Sequence, residues 1–300
     1  MKRTGLIGLG TITKRYIQGL KHTQFLSLCA VSDINPGAVS REAYSDYPFY
    51  DDYRCMIQQE KPELVIISSP PAGHFDIALY CLEHNVGVII EKPVVLQLEQ
   101  FDRLCKIAQE KGLLFRTLFH WLGGIELRRF MQEYNVGQIK RIDIQVMDPY
   151  SQDEQTILEG RRPLMGAWID SGVNALSMIK LWLPFAKVEL MKCQSRKCKQ
   201  TGLPLFADVS LNIDGVDVHI QIDWTKHQDL KQTTVTLENR TVQIRHSAQS
   251  ILDGENLISC GRMERMDEHY YSLFGDLEDV SNHVFSRAVH EILLEVEQSL

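Results

Sequence analysis

Lys2-Arg3-Thr4-Gly5-Leu6-Ile7-Gly8-Leu9-Gly10-Thr11-Ile12-Thr13 decides the fold. A short apolar strand runs into two glycines. It then hands over to a segment in which Ile12, Tyr16, Ile17 and Leu20 recur at helical spacing. Gly8 permits a tight turn, and Gly10 lets the backbone approach a pyrophosphate lying on the helix start at Thr11 and Ile12. The third glycine of such a fingerprint is Thr13 here, at a position that serves helix–sheet packing. An acid, Asp33, follows the next apolar run. A carboxylate there accepts both ribose hydroxyls and repels a 2′-phosphate, so NAD is favoured, with NADP possible. The alternative is that Asp33 caps the helix after Asn35-Pro36.

The alternation continues outward from that stretch. Leu26 to Val31, Phe49-Tyr50, Leu64 to Ile67, Val86 to Ile90 and Leu114 to Phe119 read as strands. Helices are expected from Pro36, after Asp51 or Asp52, from about Ala72 to Glu83, and from about Leu96 to Lys111 before Gly112. Such βαβ alternation predicts a doubly wound parallel sheet over residues 1–121. After His120 the texture changes. A helix over Gly124 to Tyr134 and a strand over Ile139 to Val146 are followed by a helix over Gly172 to Leu183. Strands near Val188 to Cys193, Phe206 to Ile213, Val216 to Trp224, Thr233 to Leu237 and Thr241 to His246 follow, with hairpin turns at Asp214-Gly215 and Glu238 to Arg240. Residues 122–300 are therefore expected to form an α+β domain with a largely antiparallel sheet, closed by an amphipathic helix through Val284, Phe285, Val289, Ile292, Leu293 and Val296.

Composition narrows the function. The net charge of −7 is that of the stretch from Glu264 onward, where nine acidic residues face only Arg265 and Arg287, leaving the rest neutral. No basic region exists to bind a nucleic acid, and the acidic tail reads as a solvated helix face. The longest apolar runs are too short to span a bilayer. The N-terminal run is broken by Gly10 and Lys14-Arg15, unlike a signal peptide. Seven irregularly spaced cysteines read as reduced thiols of a cytoplasmic protein. Cys193 and Cys198 lack a second ligand pair, so no metal site is expected.

Three further motifs carry chemistry. Ser68-Ser69-Pro70-Pro71-x-x-His74 follows the fourth strand, where ligands lie in open α/β sheets, and Ser69, Pro70 and His74 are candidate cofactor contacts. Glu91-Lys92-Pro93 follows the fifth strand. A lysine at the end of a buried strand is poorly explained by packing and is a candidate acid/base beside a nicotinamide, with Glu91 beside it at the cofactor. In Gly166 to Asn174, Asp170 and Asn174 flank a glycine at a helix start; the alternative is that Asp170 only caps that helix.

Together these residues resemble the glucose–fructose oxidoreductase / inositol dehydrogenase / MocA (Gfo/Idh/MocA) family, with Glu91-Lys92-Pro93 and Val136-Gly137-Gln138-Ile139 among the matching segments. The resemblance implies a Rossmann domain plus an open-faced sheet domain, and reversible hydride transfer at a sugar or polyol carbon. Asn174 stands where most members have histidine, and Ser177 where they have aspartate. The run Asp170 to Ser177 is similar to that of the L-arabinose and D-galactose 1-dehydrogenase branch. That branch implies oxidation of C1 of a free aldose to a lactone, with Lys92 and Asp170 catalytic and His120, Asn174, Trp224 and Asp148 on the substrate. The alternatives are an inositol, polyol or amino-sugar dehydrogenase, or a non-catalytic cofactor-binding regulator. The alternating Ile220, Ile222 and Trp224, with Val218 and Leu211, suggest an apolar sheet face and hence a homodimer or homotetramer.

Overall fold

The strand that opens the chain, β1 (Lys2–Ile7), lies inside a parallel six-stranded sheet with β2 (Leu26–Ser32), β3 (Phe49–Tyr50), β4 (Leu64–Ile67), β5 (Gly87–Glu91) and β6 (Phe115–Leu118), in the order β3-β2-β1-β4-β5-β6. The computed structural model describes residues 1–151, 155–275 and 282–300. Strands β4, β5 and β6 are buried along their whole length, as parallel strands covered on both faces must be. Ile67, Val88, Ile90, Phe101 and Leu104 form the centre of one core cluster. Helix α1 (Tyr16–His22) follows a 3-10 turn at Thr11–Arg15. Helix α2 (Tyr53–Glu60) is capped by Asp52, whose carboxylate accepts from the Arg54 amide at 2.8 Å. Helix α3 (Pro71–Glu83) starts on a proline, and α4 (Leu98–Lys111) stops at Gly112 in the left-handed region.

Two expectations are corrected here, one wholly and one in part. No helix starts at Pro36: the Asn35 side chain accepts from the Gly37 amide at 2.9 Å, and this local turn leads only to a 3-10 turn at Glu42–Tyr44. The expected series in the first helical segment holds only in part: Tyr16 is buried, with Thr13 and Gly19 beside it, while Ile12, Ile17 and Leu20 are half-buried.

Helix α5 (Ile125–Glu133) precedes β7 (Ile139–Met147), and a π-helical turn at Trp168–Gly172 leads into α6 (Val173–Trp182). Then come β8 (Val188–Lys197), β9 (Pro204–Ile213), β10 (Val216–Asp223), β11 (Leu230–Leu237), β12 (Thr241–Arg245), β13 (Ser250–Asp253) and β14 (Asn256–Ser259). The eight-stranded sheet runs β14-β13-β12-β11-β7-β10-β9-β8, antiparallel except where β10 lies parallel to β7. Asp214 (φ 52) and Gly215 (φ 85) both take the left-handed region that a two-residue hairpin demands. Strands β13 and β14, and helix α7 (Arg265–Gly275), are absent from the sequence-based expectation. The last helix, α8 (His283–Ser299), is the amphipathic one expected, although Val284 is exposed.

The chain divides into two compact units. The first is Met1–Phe119 with Tyr270–Arg287, and the second is His120–His269 with Ala288–Leu300. A single division at 121/122 therefore differs from the structure chiefly at the C-terminal end, where the chain returns to the first unit. The acidic tail is not uniformly solvated either. Glu268 is buried and paired with Arg128 at 3.5 Å, while Asp276, Glu278 and Asp279 lie outside the described residues.

In the second unit, Leu211, Val218, Ile220, Ile222 and Trp224 are all buried within the chain. They are its inner face, so they offer no exposed apolar surface for a partner. The other face carries Asp143, Gln145, Asp208, Ser210, His219 and Gln221, half-buried and polar. Among the described residues no helix is long and apolar enough to cross a membrane.

Candidate functional site

The strand order reverses between β1 and β4, and in such sheets ligands lie beyond the carboxyl ends of the strands at that point. Gly8 follows β1 with φ +91, and a Cβ on it would lie 2.6 Å from the Ser69 amide nitrogen. Only glycine lets the two strand ends approach so closely. Ser68 fixes the approach, its hydroxyl donating to the Gly8 carbonyl at 2.8 Å. Gly10 is the opposite case: its φ is ordinary at −70, and a Cβ there would meet nothing within 4 Å. The space beside Gly10 is thus open for a bound group.

Asp33 ties the glycine loop to the turn after β2, and the helix after Asn35-Pro36 that it was alternatively expected to cap does not form. Asp33 Oδ2 accepts from the Leu9 amide inside the glycine loop at 2.6 Å, and its Oδ1 accepts from the Asn35 amide at 2.8 Å. Each oxygen keeps a lone pair for a ribose hydroxyl. Thr13, fully buried, donates its hydroxyl to the Gly10 carbonyl at 2.8 Å, which tightens the first turn to 3-10 geometry. Two residues that sequence reasoning missed complete the loop's support. The Ser40 hydroxyl donates to the Gly10 carbonyl at 2.6 Å, and the Tyr44 hydroxyl donates to the Thr13 carbonyl at 2.6 Å. Glycine loop, Asp33 and the first-turn amides of Thr11 and Ile12 fit a dinucleotide.

His74 does not face that space. It is fully buried, with Nδ1 2.8 Å from the Pro93 carbonyl and Nε2 2.6 Å from the Ser69 carbonyl. It ties the loop after β4 to the loop after β5, and burial holds its pKa below the usual histidine range. Pro70 is exposed at the start of α3, and the buried Ser69 hydroxyl has no protein partner among the described residues. Glu91, expected at the cofactor, is instead buried with both oxygens engaged. Oε1 accepts from the Tyr16 and Tyr270 hydroxyls at 2.6 Å each, and Oε2 from the Lys92 amide at 3.2 Å. Burial pushes its carboxyl up, against those bonds. Glu91 is the anchor of the Lys92 backbone, and Lys92 itself is half-buried at the carboxyl end of β5. Neither tyrosine was singled out from sequence as its partner.

In the second unit Asp170 is not a cap. It lies inside the π-helical turn continuous with α6, a distortion frequent at functional sites. Asn174, one turn on, donates Nδ2 to the Asp170 carbonyl at 3.2 Å. Its buried Oδ1 has no protein partner among the described residues, an acceptor suited to a hydroxyl. Asp148 is buried and accepts from Lys231 Nζ at 2.6 Å, and Lys231 also reaches Asp229 at 2.5 Å. Burial raises the Asp148 carboxyl, Lys231 opposes this, and the Asp170 charge adds to the rise. Asp148, Asp170 and Lys231 therefore share one electrostatic environment, as does Tyr150. Trp224 cannot stack on a substrate as expected: it is fully buried, edge-on to Tyr150 at 5.2 Å between centroids. His120 is buried with Nδ1 3.3 Å from His269 Nδ1. Among the described residues no three His, Cys, Asp or Glu side chains could hold a metal ion.

Comparison with known proteins agrees with this geometry. D-glucoside 3-dehydrogenase of Escherichia coli (strain K12) is 24% identical over 221 residues, covering 67% of this chain and 61% of that protein. Inositol 2-dehydrogenase of Salmonella typhimurium (strain LT2) is 29% identical over 115 residues, covering 37% of this chain and 34% of that protein. The chain thus spans less than two thirds of the length of these curated relatives. The crystal structure of UDP-N-acetylglucosamine 3-dehydrogenase from Acidithiobacillus ferrooxidans has the same fold, with a TM-score of 0.80 at 17% identity, covering 100% of this chain and 97% of that one. Residues 2–119 match the Gfo/Idh/MocA oxidoreductase family through its NAD-binding Rossmann fold.

Proposed function

We propose that this protein is an NAD-dependent dehydrogenase of a sugar or cyclitol hydroxyl. The observation that carries the reading is the glycine loop. Gly8 is pressed against Ser69, Gly10 leaves open space, and Asp33 holds the loop while retaining lone pairs for a ribose. Bound NAD supplies the hydride acceptor. Lys92 takes the proton of the hydroxyl being oxidised, and Glu91 with its two tyrosine donors fixes the backbone from which Lys92 projects. Asp170, Asn174 and His120 are the substrate-side residues, with the orphan Asn174 Oδ1 accepting from a hydroxyl.

Two oxidation sites are distinguished by product. The Asp170 to Ser177 pattern favours C1 of a free aldose, which gives a lactone. The names of the curated relatives favour a secondary ring hydroxyl, which gives a ketone. The test follows nicotinamide absorbance with NAD and a panel of aldoses, glycosides and inositols, with the product identified. Lys92→Ala is expected to lower turnover by about 10²–10⁴-fold with NAD affinity retained. Unchanged turnover in that variant refutes the role of Lys92. Absence of NAD binding by the wild type refutes the dehydrogenase reading.

A further inference from the structure

The second unit contains a buried chain of titratable groups that the proposed chemistry leaves unexplained. Glu126, 1% exposed at the start of α5, accepts through Oε1 from His246 Nδ1 at 2.9 Å. His246 in turn meets the Thr233 hydroxyl at 2.9 Å and stacks on Trp121 with 4.8 Å between centroids. The bonds and charge of His246 outweigh burial and keep the Glu126 carboxyl below the usual range, so it is an anion. His269, also 1% exposed, is held at about 3 by burial and is neutral. It feels the charge of Glu126 and, in the opposite sense, those of Arg265, His246 and Arg128. Its Nδ1 lies 3.3 Å from His120 Nδ1.

Two atoms of these linked side chains are orphans. Glu126 Oε2 and His269 Nε2 are buried with no protein partner among the described residues. A buried carboxylate oxygen lacking a donor is costly, and an ordered water is the usual remedy where polar groups face one another. A neutral imidazole has one N–H and one lone pair. The 3.3 Å contact between the two Nδ1 atoms therefore requires one ring to donate and the other to accept.

We propose that Glu126 and His269 are positioning residues that set the tautomer of His120. The charge of Glu126, which His269 feels, favours a proton rather than a lone pair on His269 Nε2, and a buried water that accepts from Nε2–H donates to Glu126 Oε2. His269 Nδ1 is then the acceptor, and His120 must donate its Nδ1–H to it. In a neutral His120 ring Nε2 is then the lone-pair atom, so a hydrogen bond made there, one from a substrate hydroxyl included, is one that His120 accepts. A carboxylate acting through one imidazole thus decides the hydrogen-bond sense of the next. This rests on the reading of His120 as a substrate-side residue, but the tautomer itself does not.

The experiment is nitrogen-15 NMR of the histidine rings in the full chain without ligand. The assignment of His120 comes from His120→Gln. The expected signature is a His120 ring protonated at Nδ1 and bare at Nε2, and a His269 ring protonated at Nε2. Glu126→Gln should shift His120 toward the Nε2–H tautomer. A wild-type His120 protonated at Nε2, or an unchanged tautomer in a folded Glu126→Gln variant, overturns the proposal. Should Glu126→Gln fail to fold, the wild-type tautomer alone decides. In turnover assays His269→Asn should raise the substrate KM about tenfold with the NAD KM within about twofold of wild type. Equal rises in both constants overturn the positioning role. A protein with no turnover but the expected tautomers retains the tautomer assignment while sinking the dehydrogenase reading.

Discussion

Replacing Gly10 by alanine separates binding of the dinucleotide from stability of the loop, and replacing Gly8 does the reverse. At Gly10 the backbone is compatible with any residue and the added Cβ meets no protein atom within 4 Å. Alanine is a poorer start to a helical turn than glycine by about 0.5–1 kcal/mol. It also restricts the unfolded chain, which stabilises by about 0.4–1 kcal/mol. The two offset, so Gly10→Ala should unfold within about 1 kcal/mol of wild type. The methyl nevertheless occupies the side on which a pyrophosphate approaches. The expected loss of NAD affinity is at least about tenfold, or about 1.4 kcal/mol. At Gly8 the φ of +91 alone costs an L-residue about 1–2 kcal/mol. The Cβ would also lie 2.6 Å from the Ser69 nitrogen and 2.7 Å from the Ser68 carbonyl carbon, both backbone atoms that cannot swing aside. Gly8→Ala should therefore lose about 2–4 kcal/mol, a size reserved for named steric faults. Calorimetric titration with NAD and urea unfolding of both variants decide the matter. Wild-type NAD affinity in Gly10→Ala would show that no pyrophosphate approaches that residue, and wild-type stability in Gly8→Ala would refute the close-approach argument.

Acid should destabilise the second unit through His269. Its pKa is driven from 6.5 to about 3 by burial, so between those values the unfolded chain binds the extra proton. The contribution is complete above pH 6.5 and falls by up to about 1.4 kcal/mol per pH unit below it, about 2 kcal/mol by pH 5. Urea midpoints at pH 7, 6 and 5 should fall less steeply in His269→Gln, and parallel slopes would contradict the assignment. Lys231→Met leaves Asp148 buried without its cation and should cost about 3–5 kcal/mol, most of it recovered in the Lys231→Met/Asp148→Leu double variant. A single variant within about 1 kcal/mol of wild type would mean the pair is not buried in solution.

The Rossmann strands are legible because their burial on both faces writes itself as uninterrupted apolar runs such as Leu64–Ile67. Gly8, Gly10 and Asp33 are legible because their chemistry sits at strand ends, where it is local. The supports of that chemistry are not. Glu91 finds its donors at Tyr16 and Tyr270, 75 and 179 residues away, and Asp148 finds Lys231 83 residues away. Spacing along the chain carries no trace of such pairs. Strands β13 and β14 escape for a different reason. Each has four residues, too few to show alternation, and Leu257 in β14 is exposed, so pairing rather than pattern holds them in the sheet.

The second sheet shows where period-two reading stops. Alternation tells which residues share a face, and Val218, Ile220 and Ile222 do share one. It does not tell which face meets water, because an apolar series is equally compatible with a core and with an interface. Here the helical layer of the same chain supplies the cover: Thr233 of β11 touches Met178 of α6, and the turn at Trp168–Gly172 packs on β9 and β10. The more telling signal runs the other way. Lys231, Thr233 and Val235 occupy one inward register of β11, so a lysine stands in a row otherwise destined for the core. An inward charge needs a partner, and the search for one leads from Lys231 directly to Asp148. A polar residue that breaks an apolar alternation thus points to a buried ion pair that the apolar residues keeping the alternation do not reveal.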